Sequence, residues 1–219
     1  MSITQVYISH FVQMTGSLIV GICCLLSFPL RPNYIRVLGY TSIVSFILSI
    51  AQFIVLQVGL NVNPIGNLST IVEAIFFALL YYLVMPEKQY RKGVGILAIL
   101  YGLFLVCIFI VFREQYFSLI RFGRDFLFVI YSVIFFYYLL QKLPETNLLQ
   151  LPMFWINTAV IFYFSGTFIL SYMRDYIVNQ LGNDFSGFLV FKNLFKLPFC
   201  ILLTYAGWLD FRAVRNKFS

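Results

Sequence analysis

Apolar residues along this chain form long stretches, which are separated by short segments rich in proline, glycine, asparagine and charge. We predict seven helical spans over residues 6–29, 36–59, 67–85, 93–112, 117–141, 152–174 and 185–209. Breakers such as FPLRPN, NVNPIGN and NQLGNDFSG lie between them and favour turns. Each span has the roughly 20 residues that an α-helix needs to cross a membrane. The pattern therefore predicts an all-α, polytopic membrane protein, a single seven-helix transmembrane domain over residues 1–219.

The composition favours lipid over water as the solvent. Of the 219 residues, 61% are hydrophobic and only 11% are charged, and the mean hydropathy is +0.91. A soluble domain carries roughly 25% charged residues, so we expect a lipid bilayer to cover most of this surface. The net charge of +7 does not indicate nucleic acid as a partner, because the basic residues cluster in alternate loops, as in membrane proteins.

The basic residues of the loops also predict an orientation. One set of alternate loops, together with the C-terminal segment, carries nine arginines and lysines. The opposite side carries four, which are Arg113, Arg121, Arg124 and Arg174. Because the more basic loops stay in the cytoplasm, we predict that the N-terminus lies outside and the C-terminus in the cytoplasm of a bacterial inner membrane.

Charged residues within the spans carry most of the functional information, because each is costly in lipid unless it is paired or hydrated. Lys192 and Lys196 lie four positions apart in the seventh span, within GFLVFKNLFKLPFC, and therefore share one helical face. Other polar side chains fall at a similar depth, in the outer half of the predicted bundle. The predicted ligand-binding set comprises Glu73, Arg121, Arg124, Asp125, Lys192, Lys196, His10 and Gln52.

Two interpretations of this cluster stay open. In the first, buried ion pairs fix the helix packing, and Lys192 extends to the surface. In the second, the cluster lines an outward-facing pocket for a small anionic or polar ligand. In both cases we expect Glu73 to pair with Lys192 or Lys196, since a buried cation seldom stays unpaired.

The fifth span suggests which cations would face such a ligand. Arg121 and Asp125 are four positions apart and are expected to pair on their own helix. Arg124 and one of the two lysines would then remain to meet the ligand. A second polar face, formed by Ser42, Ser45, Ser49 and Gln52 in the second span, is expected to serve close helix packing.

Enzyme and cofactor chemistry have little support in the sequence. His10 is the one histidine, so a three-histidine zinc site is excluded, and no GxSxG motif is present. We expect neither an enzyme nor a cofactor. A retinal Schiff base on Lys196 with Glu73 as counter-ion is a lesser alternative. Trp155 and Trp208 lie at span ends, where they suit the membrane interface rather than the wall of a retinal pocket. A small-solute transporter or channel is the main alternative, although the predicted inner half is poor in charge.

The stretches IVEAIFFALLYY (71–82) and LPMFWINTAVIFYFSG (151–166) carry a further signal. A glutamate in the third span and an FWIN…YFSG pattern in the sixth resemble a group of uncharacterised seven-helix membrane proteins from Bacteroidota over nearly the whole chain. The group has no established activity. Its genes often appear near sensor-kinase genes, so the resemblance implies signalling. A pocket that opens outward and alters helix packing fits a receptor-like, non-enzymatic protein, which we expect to signal through a separate partner protein.

Overall fold

The computed structural model describes the backbone of residues 3–26, 31–112, 117–142, 147–181 and 186–216. Side chains are described over the same ranges except at 3–10, 111–112, 117, 174–181 and 186–193. Over the described ranges the chain forms seven α-helices and one short 3-10 helix, Leu148–Gln150. The α-helices are α1 (Ile3–Leu25), α2 (Asn33–Gln57), α3 (Asn63–Val84), α4 (Lys88–Phe112), α5 (Phe117–Lys142), α6 (Pro152–Leu181) and α7 (Ser186–Arg215).

The prediction of an all-α chain is confirmed, and the largest differences lie at helix ends. α4 begins at Lys88, within the PEKQYRKG breaker, whereas the predicted span begins at residue 93. α6 and α7 likewise continue to Leu181 and Arg215, beyond the predicted ends. Apolar residues mark the part of a helix that suits lipid, while Lys, Arg and Gln propagate a helix well outside it. The hydrophobic pattern therefore underestimates helix length.

Six helices form a closed ring in the order α1, α2, α3, α5, α6, α7, with α7 packing back against α1. α4 lies outside this ring against α3 and α5. Its outward face carries large exposed apolar side chains, such as Phe109 at 77% exposure and Ile110 at 73%. Such a face is stable against lipid tails and costly in water.

Within the residues that the structure describes, five helices are long and apolar enough to cross a membrane, namely α2, α3, α4, α6 and α7. In α1, whose side chains are described from Phe11 onward, the segment Phe11–Leu25 is also apolar. α5 is not among the five, and its first half holds Arg121, Arg124 and Asp125. The chain therefore has the character of a multi-pass membrane protein.

A buried polar cluster joins α3, α5 and α6. The Tyr81 hydroxyl donates to Asn157 Oδ1 at 2.6 Å and lies 2.9 Å from Ser132 Oγ. Asn157 Nδ2 donates to the Ser132 carbonyl at 3.1 Å, and all three residues are 0% exposed. Because these buried groups satisfy one another, the cluster holds three helices together. Asn157, the asparagine of the FWIN pattern, therefore has a structural role.

One end of the ring is marked by a buried ion pair between the start of α2 and the end of α7. Arg31 Nη1 lies 3.2 Å from Asp210 Oδ2, and the Arg31 side chain is 0% exposed. Arg31 also donates to the carbonyls of Leu26 at 2.7 Å and Gly207 at 2.9 Å. We call this the α1–α2 end and the opposite one the α2–α3 end. The predicted orientation counts Arg31 as an exposed loop charge, but Arg31 is buried.

Candidate functional site

The ring of helices surrounds a cavity of about 230 Å³. It extends from Gln52 and Val62, near the α2–α3 end, to Leu38 and Leu203 deeper in the ring. All six ring helices contribute to the wall, whereas α4 does not. The cavity is smaller than the roughly 300–1,000 Å³ of pockets for drug-sized molecules, so its size suits a small metabolite.

The cavity brings together most of the predicted site residues. Those that line it are Gln52, Glu73, Arg121, Arg124, Asp125 and Lys196. The remaining two, His10 and Lys192, lie outside the side chains that the structure describes. The predicted set thus converges on one cavity as far as the described residues extend.

Arg124 is the centre of the charged network. Its Nη1 donates to Glu73 Oε2 on α3 at 2.6 Å. Its Nε and Nη2 donate to Asp125 Oδ1 at 2.9 and 2.6 Å. Ser171 on α6 donates to Asp125 Oδ2 at 2.6 Å, and Ser45 on α2 donates to Glu73 Oε1 at 3.3 Å. Hydrogen bonds to charged groups are the strong ones, and this chain of them joins four helices.

The predicted pairing of Glu73 with Lys196 is wrong, because Glu73 binds Arg124 instead. The pairing of Glu73 with Lys192 concerns a side chain outside those described. The physical reason for the difference is helix order. α3 and α5 are neighbours in the ring, and this contact presents Arg124 to Glu73 at close range.

The predicted pairing of Asp125 with Arg121 is also wrong, since Asp125 binds Arg124. Arg124 is therefore not left over to meet a ligand, as the prediction assumed. Arg121 reaches instead toward the start of α3, where its Nη2 lies 2.7 Å from the position that a Cβ on Gly66 would occupy. The absence of a side chain at Gly66 makes room for the Arg121 guanidinium.

Lys196 lies in an aromatic environment within the cavity wall. Its Nζ is 4.7 Å from the centre of the Phe199 ring and 5.1 Å from that of Tyr163, within the range of cation–π attraction. No carboxylate pairs with Lys196 among the side chains that the structure describes.

Sequence reasoning missed the hydroxyl-rich character of the wall. Ser42 and Ser45, which are expected from the sequence to serve helix packing, line the cavity. Ser49 keeps the expected packing role, since it is buried and donates to the Ser45 carbonyl at 2.8 Å. Among the described residues, eight serines and threonines line the cavity: Ser17, Thr41, Ser42, Ser45, Ser69, Thr70, Thr167 and Ser171. Their spacing along each helix was the available signal, but hydroxyls on a helical face suit both packing and a polar cavity.

Comparisons of this chain with protein-family models, curated proteins and solved structures found no match. The resemblance to the Bacteroidota group therefore stays a prediction. The function has to be argued from the geometry of the cavity.

Proposed function

We propose that this protein is a receptor-like, non-enzymatic membrane protein that binds a small polar or anionic ligand in the ring cavity. The supporting observation is the cavity itself, which is walled by six helices and lined by hydroxyls and charged side chains. A core that served packing alone would be filled by apolar side chains, because buried polar groups cost free energy. A cavity with this wall suits a polar occupant.

The charged network provides a means for the ligand to alter helix packing. Ser45, Glu73, Arg124, Asp125 and Ser171 link α2, α3, α5 and α6 through side-chain hydrogen bonds. A ligand that binds more strongly to one arrangement of these helices shifts the population toward that arrangement. The wall of the cavity therefore couples occupancy to the relative positions of four helices.

α7 connects the cavity with the α1–α2 end. Lys196 lines the cavity, Pro198 follows two positions later, and Asp210 on the same helix pairs with Arg31. Proline inside a helix removes one backbone hydrogen bond and favours a kink. A change at Lys196 would thus be transmitted toward Asp210. We propose that a separate signalling protein contacts the α1–α2 end.

The proposed setting is a bacterial inner membrane, which all seven helices cross with the N-terminus outside. α1 and α5 would supply the two crossings beyond the five long apolar helices. In this arrangement the α2–α3 end faces outward, so the ligand would come from outside the cytoplasm. Gln13 and Ser17 on α1 and the charged half of α5 would face the cavity rather than lipid.

The alternatives have less support. A transporter or channel needs a polar path through the whole crossing, whereas apolar residues such as Val20, Leu38, Phe77 and Leu203 close the deeper part of this cavity. For a retinal Schiff base on Lys196, the proposed counter-ion Glu73 is already engaged by Arg124.

A ligand screen with a blocked cavity tests the proposal. The purified full chain is heated with small acids, sugars, polyols and amino acids, and its melting temperature is recorded. Thr70→Met places a larger side chain in the cavity wall, where Thr70 is 2% exposed. Thr158→Met is the matched control, since Thr158 also donates to the carbonyl four residues earlier but does not line the cavity.

We expect at least one compound to raise the melting temperature of the unmodified protein and of Thr158→Met, but not that of Thr70→Met. If no compound has this effect on the unmodified protein, the charges serve packing and the receptor proposal is wrong.

A further inference from the structure

The charge of Arg124 is already neutralised by two carboxylates. Each of its three nitrogens donates to a carboxylate oxygen, on Glu73 or Asp125. The remaining oxygens of these carboxylates accept from Ser45 and Ser171. Two of the five N–H groups of the guanidinium remain, but a ligand anion there would lie beside two carboxylates that already balance the charge of Arg124. The network is therefore part of the wall rather than the anchor of the ligand.

Lys196 is in the opposite situation. Its ammonium touches the cavity and two aromatic faces, and no carboxylate pairs with it among the described side chains. An ammonium can donate three hydrogen bonds, and the aromatic rings of Tyr163 and Phe199 satisfy its charge only in part. One ammonium of this kind matches one negative charge.

The hydroxyls of the wall favour a ligand that donates hydrogen bonds. Thr41, Ser42, Thr70 and Thr167 each donate to a carbonyl of their own helix, over distances between 2.7 and 2.9 Å. A hydroxyl has one hydrogen and two acceptor lone pairs, so these oxygens are left to accept. An acid without hydroxyls would leave the lone pairs of these oxygens without a hydrogen-bond donor.

A hydroxyl group on the ligand fits these acceptors better than an ammonium group. An ammonium in the cavity would add a positive charge beside Lys196 and Arg124. All four oxygens of the carboxylates Glu73 and Asp125 already accept hydrogen bonds from Arg124 or a serine hydroxyl, so an ammonium would have to compete for them. A zwitterionic amino acid is thus less suited to the site than a hydroxy acid.

We infer that Lys196, and not Arg124, binds the charged group of the ligand, and that the ligand is a small monocarboxylate bearing several hydroxyls. This inference rests on the proposed function and narrows it to one ligand class. In the bound state the carboxylate accepts from Lys196 Nζ, and the ligand hydroxyls donate to the hydroxyl oxygens of α2, α3 and α6.

Four matched probes separate the contributions of charge and hydroxyls. Glycerate carries both features, glyceramide lacks the charge, propanoate lacks the hydroxyls, and serine adds an ammonium. Gluconate is the longer hydroxy acid, in case three carbons bridge too little of the cavity. Each is titrated into the purified full chain, with binding followed by calorimetry and by the melting temperature.

We expect glycerate or gluconate to bind at least tenfold more tightly than any of the other three probes. Lys196→Met should weaken this binding by at least tenfold, whereas Lys196→Arg should retain much of it. Lys92→Met is the matched control, since Lys92 is exposed at the start of α4 and should leave binding unchanged. Lys196→Gln, which keeps a polar chain of similar reach, serves if the methionine variant does not fold.

The outcomes distinguish this inference from the proposed function. If glyceramide or serine binds as tightly as the hydroxy acids, or if neither Lys196→Met nor Lys196→Gln weakens binding, the inference is wrong while the cavity remains a binding site. If the hydroxy acids fail and another compound of the wider screen binds, the ligand class is wrong. If nothing binds, the proposed function itself fails.

Discussion

Glu73 and Asp125 both bind Arg124, but their surroundings differ. The Asp125 side chain is 1% exposed and accepts two hydrogen bonds from Arg124 and one from Ser171. The Glu73 side chain is 18% exposed and accepts one from Arg124 and a longer one from Ser45. A buried charge that loses its partner is left uncompensated. Asp125 is therefore the carboxylate on which the burial of Arg124 mainly depends.

We expect Asp125→Asn to lower the free energy of unfolding by about 3–5 kcal/mol, the usual loss when one member of a buried pair is removed. Glu73→Gln should cost less, because Glu73 is more exposed to solvent and Asp125 still neutralises Arg124. Thermal and denaturant unfolding in detergent would measure both. Combining Asp125→Asn with Arg124→Met should recover part of the loss. Additive losses in the double variant, or a greater loss from Glu73→Gln, would contradict this account.

At the scale of helices, the FWIN…YFSG stretch acquires a physical meaning. Asn157 joins the buried cluster with Tyr81 and Ser132. Gly166 lies against the Phe195 ring of α7, where an added Cβ would meet three ring atoms, two of them at 2.7 and 2.9 Å. One end of the stretch thus anchors α6 to α3 and α5, and the other lets α7 approach closely.

Gly166→Ala should therefore destabilise the protein by about 1–3 kcal/mol, the usual cost of overpacking. Gly102→Ala is the matched control, since Gly102 is also inside a helix but has nothing within 4 Å of its added Cβ. Alanine favours helix over glycine by up to about 1 kcal/mol, so the control should be neutral or stabilising. Replacing the ring by a smaller side chain, with Phe195→Leu, should lessen the destabilisation caused by Gly166→Ala. Equal effects of the two glycine substitutions would show that the α6–α7 contact is not tight.

The positions of the helices could be predicted from the sequence, whereas the contacts between helices could not. Apolar length alone indicates where a helix suits lipid. Which helices touch is a different matter, since α3 and α5 are ring neighbours while α4 lies outside. Glu73 meets Arg124 only because of that order. The convergence of Gln52, Arg121 and Lys196 on one cavity could be expected from their similar depth, but their partners depend on helix rotation, which polar spacing did not determine.

At the scale of the whole molecule, the fold changes how the loop charges are counted. Arg31 is buried against Asp210, so it contributes less to the basic side than the sequence suggests. Arg121 and Arg124 line the cavity and contribute less to the opposite side. Removing these three residues leaves eight basic residues against two, from the original nine and four. The asymmetry that predicts the orientation becomes stronger.

We expect the C-terminus and the α1–α2 end to lie in the cytoplasm, because basic segments there resist translocation. Alkaline phosphatase, which is active only outside the cytoplasm, should be inactive when fused after Ser219 and active when fused after Gly59, in the α2–α3 loop. A fluorescent protein that folds only in the cytoplasm should give the reverse result at both positions. Immunoblots would control for the amount of each fusion. An active phosphatase after Ser219 would reverse the orientation, and the cavity would then open toward the cytoplasm and sample intracellular ligands.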